Sequence, residues 1–114
     1  MRGIIIDSDI NTNMLVELNK DDILQDMYDL LGCRMVEIGY RFPNGDVLFV
    51  DEEGLNKLND YTRFFQIDNC QPLVGSGIII GSDDLTGVSV SVKTNLEDLE
   101  VKFLSVMDVL GLVG

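Results

Sequence analysis

The chain has 114 residues, 46% of them hydrophobic and 25% charged, which sets it as one globular domain with its own core and excludes a disordered chain. Twenty acidic residues against eight basic ones leave a formal charge of −12, a field that repels phosphates and anionic membranes and so excludes direct nucleic-acid binding. With no histidine, two cysteines far apart and no long apolar run, a zinc site and a membrane span are excluded as well, and a cytoplasmic setting is expected.

Residues 2–7 and 13–18, RGIIID and NMLVEL, read as two strands around the turn-forming SDINT, an opening hairpin. KDDILQDMYDLLGC then places Ile23, Leu24, Met27, Leu30 and Leu31 at helical spacing, with Asp21 or Asp22 to cap the start and Gly32 to end it left-handed. From Arg34 to Phe42 the period is two, which puts Val36, Ile38, Tyr40 and Phe42 on one side and Met35, Glu37 and Gly39 on the other. The PNGD turn folds VLFVD back as the partner strand, and VLFV, apolar throughout, belongs inside the sheet with both faces covered.

Residues 52–71 predict a short helix or ordered loop. PLVGSGIIIG predicts a strand entered through a glycine bend, SDDLTG a loop, and VSVSVK a strand with Val88, Val90 and Val92 inward. The last stretch, TNLEDLEVKFLSVMDVLG, predicts a second helix: Thr94 and Glu97 stand at capping-box spacing, and Leu96, Leu99, Phe103, Val106 and Leu110 form one stripe. The whole is a single α+β domain over residues 1–114, a mostly antiparallel sheet of about five to six strands with two main helices.

Several stretches invite a functional reading. VGSGIIIG has the look of a phosphate loop, but Gly81 comes one residue late, a strand rather than a helix follows, and Asp83 and Asp84 repel an anion. DSDINTN spaces oxygen ligands as a calcium loop does, yet Thr12 and Leu18 stand where glycine and glutamate are needed. Asp51, Glu52 and Glu53 in VDEEG offer carboxylates for a divalent ion, although spacing alone does not make them converge. Without histidine, and with no activated serine or cysteine, no catalytic residue is assigned and no cofactor is expected.

Two binding surfaces are predicted instead. In KLNDYTRFF, Lys57, Asn59, Tyr61 and Arg63 surround Phe64 and Phe65, a pairing of cations with rings on which a nucleotide-like ligand would stack at Tyr61 and pair with Arg63. On the first helix, Asp22, Asp26 and Asp29 lie at i, i+4 and i+7, about 5 to 6 Å apart along the axis, near the phosphate interval of a nucleic acid strand. That stripe suits contact with a basic protein, and a solvated helix face, the plainer reading, explains the same residues. The apolar carboxyl end, VMDVLGLVG, predicts a homo-oligomer seam.

The order ILQDMYDLLGC, RMVEIGY, VLFVDEEGLNKLN, PLVGSGIIIG and TNLEDLE resembles a family of small phage- and plasmid-borne proteins known as domain of unknown function 3846, over about Met14 to Val101. Asp51, Glu53, Gly54, Asn59 and Gly75 match its pattern, whereas NDYTRF follows where the family runs NxxA. The resemblance implies a protein of a mobile element in the cytoplasm of a bacterial host, with no assigned chemistry and with counter-defence as the analogy. The combined expectation is a non-catalytic accessory protein that sequesters a small nucleotide-like ligand or signal. The alternative is an acidic nucleic-acid mimic that blocks a host enzyme through protein–protein contact.

Overall fold

The computed structural model describes residues 1–68, 70–83 and 85–113, with the side chains of residues 112 and 113 outside that description; the expected part played by Asp84 lies outside it too. Strands β1 (Arg2–Asp7) and β2 (Thr12–Glu17) form the opening hairpin, in unbroken register from Arg2↔Glu17 to Asp7↔Thr12. Helix α1 (Ile23–Leu31) follows and stops at Gly32, whose φ of 62° is left-handed. Asp22 occupies the cap position without a side-chain bond, and the Asp26 carboxylate instead accepts the Asn19 N–H at 2.6 Å.

Strands β3 (Val36–Arg41) and β4 (Val47–Asp51) make the second hairpin, closed at Gly45 with φ 95°. The remaining strands are β5 (Arg63–Ile67), β6 (Leu73–Val74), β7 (Gly77–Ser82), β8 (Ser89–Val90) and β9 (Val101–Ser105), and helix α2 (Val106–Val113) ends the chain. They build a six-stranded sheet in the order β2-β1-β7-β4-β3, with β8 beside β7, and a three-stranded sheet in the order β6-β5-β9. Every pairing among the described residues is antiparallel.

Register explains the layers. Met14, Ile5, Ile78, Phe49 and Ile38 stand in one row across the large sheet, and α1 covers the middle of that face with Met27 buried. The opposite face carries the row Leu15, Ile4, Ile79, Leu48 and Tyr40, on which the small sheet lies. Because β1, β4 and β7 are central and covered on both sides, they are apolar at nearly every position, as the sequence of β4 implies.

Phe65, fully buried, is the centre of the inter-sheet core with Ile4, Ile6, Leu48, Val50, Ile67 and Ile79. Its ring lies where Gly77 leaves room: a Cβ there would meet Leu48 Cδ1 at 2.7 Å, Phe65 Cζ at 3.0 Å and the Phe49 carbonyl at 3.2 Å. Burial of that ring contributes about 2–3 kcal/mol.

Several expectations are corrected. A bulge at Gly39 shifts the register between Ile38 and Tyr40, so Val36 and Ile38 face the α1 side while Tyr40 and Phe42 face the small sheet. The 52–71 stretch holds a 3-10 turn at Gly54–Lys57 and also the buried strand β5. PLVGSGIIIG is two strands in two sheets, parted at Gly75 with φ 76°, and Val88 is 60% exposed rather than inward.

The predicted second helix is, in fact, a 3-10 turn at Leu96–Asp98, strand β9 and the shorter α2. Thr94 caps nothing; its hydroxyl donates to Asp46 Oδ2 at 2.6 Å. The working capping box is Ser105 with Asp108: the Asp108 N–H donates to Ser105 Oγ at 3.2 Å and the Ser105 N–H to Asp108 Oδ2 at 2.8 Å.

Gly77→Ala is expected to lower unfolding free energy by about 1–3 kcal/mol through overpacking. Gly111→Ala, whose new Cβ meets nothing within 4 Å on α2, is expected to raise it by up to about 1 kcal/mol. Urea unfolding of the two variants checks the pair.

Candidate functional site

Alternation along β5 decides where the predicted ligand residues go. Arg63, Phe65 and Ile67 share the face turned to the large sheet, paired with Ser105, Phe103 and Val101 of β9; Phe64 and Gln66 share the outer face. Arg63 therefore reaches inward: its Nε donates to the Ser8 carbonyl at 3.4 Å and its Nη2 to Asn11 Oδ1 at 3.0 Å. Phe64, its neighbour in sequence, lies behind the sheet from it.

The other predicted residues are spread as well. Lys57 Nζ donates to Asp51 Oδ2 at 2.6 Å, and that bond first of all holds the ammonium above its ordinary pKa. Asn59 shapes its own loop: its Oδ1 accepts the Tyr61 N–H and its N–H donates to Thr62 Oγ1, both at 2.8 Å. Tyr61 is 90% exposed. The structure does not gather these four side chains at one point.

What it forms nearby is a groove of about 390 Å³ on the outer face of the small sheet. The buried Phe64 lines it from β5, Leu55 and Leu58 from the 3-10 turn and its exit, Pro72 from the approach to β6, and Val109 and Leu110 from α2. Asn59 and Gln71 bring amides to this lining, and among the described residues no charged side chain joins it. Leu55, Leu58 and Leu110 are 73%, 50% and 60% exposed, so apolar surface concentrates here.

The acidic candidates also divide. On α1, Asp22 and Asp29 are exposed, the latter accepting from Gln25 Nε2 at 2.9 Å, while the half-buried Asp26 is held by its Asn19 bond. In the VDEEG turn, Asp51 Oδ1 accepts the Glu53 N–H at 2.9 Å, and Glu53 pairs with Arg34 at 3.0 Å. Among the described residues no group of three or more potential metal ligands converges.

The glycines of VGSGIIIG serve packing. Gly75 turns the chain from one sheet to the other, Gly77 receives Phe65, and a Cβ on Gly81 would collide with the Ser91 carbonyl. Around the same corner meet most of the residues that carry the family resemblance. Asp51 anchors Glu53 and Lys57, Gly54 lies so close to Val74 that a Cβ added to it would meet Val74 Cβ at 3.2 Å, and the Gly75 N–H donates to the Arg63 carbonyl at 2.9 Å.

Sequence reasoning missed Asp46. Fully buried, its carboxylate accepts the Lys93 N–H at 3.0 Å, the Thr94 N–H at 2.8 Å and the Thr94 hydroxyl. It ties the second hairpin to the segment before the last 3-10 turn. Its only sequence signal was the PNGD turn, which predicted the turn and not the clasp.

Fold and groove together define a small antiparallel α+β domain with an open apolar hollow on its outer sheet. Residues 1–104 match the family model described as Domain of unknown function (DUF3846), and the chain belongs to that family. Among curated proteins and among solved structures, none matches it. The match ends before α2, so one wall of the groove lies outside the family model. Among the described residues no helix is long and apolar enough to cross a membrane.

Asp46→Ala strands two backbone N–H groups and is expected to cost about 3 kcal/mol in urea unfolding. Asp108 supplies a pH effect. The Ser105 N–H and then the Ser105 hydroxyl hold its carboxyl below the ordinary 3.8, so its stabilisation of α2 is present above that value and is lost as pH falls through the lower folded value. Amide exchange in α2 should quicken across that window, and Asp108→Asn should show fast exchange at every pH.

Proposed function

We propose that the protein is a non-catalytic binding protein of a phage or plasmid that sequesters a small, planar, nucleobase-like ligand in the groove between β5, the 55–59 segment and α2. The observation that carries the reading is the groove itself. Its volume of about 390 Å³ falls within the usual range of small-ligand sites, roughly 300–1,000 Å³. Its walls are apolar, Phe64 offers an aromatic surface, and the Asn59 and Gln71 amides supply both donors and acceptors for the edge of a base.

Charge narrows the ligand. Among the described residues no cation lines the groove, Lys57 is committed to Asp51 and Arg63 faces the other side of its sheet. On a body of charge −12, a phosphate has nothing to meet there, so the part recognised is the uncharged ring system. The mobile-element setting, drawn from the family resemblance, makes withdrawal of a signalling molecule from a host the use of such binding.

Isothermal titration against free bases, nucleosides, and linear and cyclic nucleotides tests this. Bases or nucleosides should bind, each added phosphate should weaken binding, and Leu110→Asp should weaken it about tenfold or more while leaving the melting temperature unchanged. Silence across the panel, or affinity indifferent to Leu110→Asp, rejects the reading.

A further inference from the structure

We infer that the free edge of β2 is a docking site for an extended, basic segment of a partner protein, which adds to the large sheet as a further antiparallel strand. This goes beyond the groove and does not rest on it. Three observations carry it.

The first is backbone. Strand β2 is six residues long, borders the sheet and pairs with β1 alone. No hydrogen bond among the described residues reaches the backbone of Thr12–Glu17 except from β1, so its outward N–H and C=O groups form an open row. The other edges are blunted: β3 carries the Gly39 bulge, β6 and β8 have two residues each, and in β9 the Ser105 N–H is bound by Asp108.

The second is side chains. Neither lysine nor proline interrupts β2, and its alternation leaves Met14 43% exposed on the α1 face and Leu15 53% exposed on the opposite face. Beside Leu15 is a hollow of about 300 Å³ lined also by Val92 and Leu96, with Arg2, Lys93 and Glu97 at its polar rim. An added strand would place one of its alternate side chains toward that hollow, which is how strand addition gains specificity beyond its backbone bonds.

The third is charge. Asp7, which stands opposite Thr12, and Asp9, whose N–H it accepts, leave the turn end of the strand acidic. At the other end Glu17, its side chain 75% exposed, pairs with the amino terminus at 3.3 Å, and Glu97 shares the hollow with Arg2 and Lys93. The attraction for a cation therefore comes from the turn end and from the net charge of −12. A second copy laid edge to edge brings two such fields together, which opposes self-pairing and favours a cationic partner.

The test uses the full chain and two synthetic peptides of about ten residues and equal charge: one alternates lysine with valine, and in the other every valine is proline, which cannot donate to a ladder. Hydrogen exchange is followed residue by residue. The valine peptide should slow the outward amides of residues 12–17 about tenfold or more, the proline peptide should not, and Met14→Lys with Leu15→Lys should abolish the protection without lowering the melting temperature. Equal protection by both peptides, protection centred elsewhere, or β2 protection that grows with protein concentration in the absence of peptide would overturn the proposal.

Discussion

Where the ring of Phe65 meets β7, the large sheet offers bare backbone, because position 77 is glycine. Two β-sheets normally pack about 10 Å apart with side chains interleaved between them. At this point one sheet contributes a ring and the other contributes none, so Phe65 sits deep between Leu48 and the strand behind it. That seat fixes β5 on the large sheet, and β5 then orders the small sheet, since β6 and β9 pair with it and not with each other. Gly75, two residues earlier, lets the chain leave the small sheet and enter the large one. A sequence that looks like an anion cradle is thereby consumed by architecture.

The same register governs the functional surface. With Phe65 pointing inward, Arg63 must also point inward and Phe64 outward, because successive strand residues face opposite ways. In the linear sequence Arg63 and Phe64 are neighbours and read as one cation-aromatic cluster. As soon as they lie on a strand covered on both sides, they belong to different environments: Arg63 to the tip of the first hairpin at Ser8 and Asn11, Phe64 to the groove beneath α2.

Local elements were legible in the sequence and non-local ones were not. The two hairpins and α1 declare themselves because their turns, Gly45 and Gly32, lie within a few residues of the segments they organise. β9 escaped because Leu96, Leu99, Phe103 and Val106 also fit a helical stripe, and the choice is made by β5, nearly forty residues away, whose Phe65 and Ile67 pair with Phe103 and Val101. The bulge at Gly39 escaped for a related reason. Its need arises where Leu73 Cδ1 and Val50 would crowd a Cβ at 3.1 and 3.3 Å, contacts that exist only after the sheets have met. Likewise the groove draws on segments near residues 55, 64, 72 and 110, so no motif could announce it. Its one trace in the sequence was the surplus of apolar residues after Ser105.

The acidic excess has consequences that a stripe on one helix does not capture. Many of the carboxylates have local duties: Asp46 clasps residues 93 and 94, Asp26 holds the entry to α1, Asp83 bonds the N–H groups of Leu85 and Thr86, and Asp108 starts α2. Their charge nevertheless adds to the field of the whole body. A domain that leaves Leu55, Leu110 and the edge of β2 open to solvent carries surfaces that would otherwise pair with their own copies. Mutual repulsion between bodies of charge −12 opposes that pairing. Charge and exposed apolar surface, which look contradictory as composition, therefore act against each other in self-association: the first opposes the pairing that the second favours.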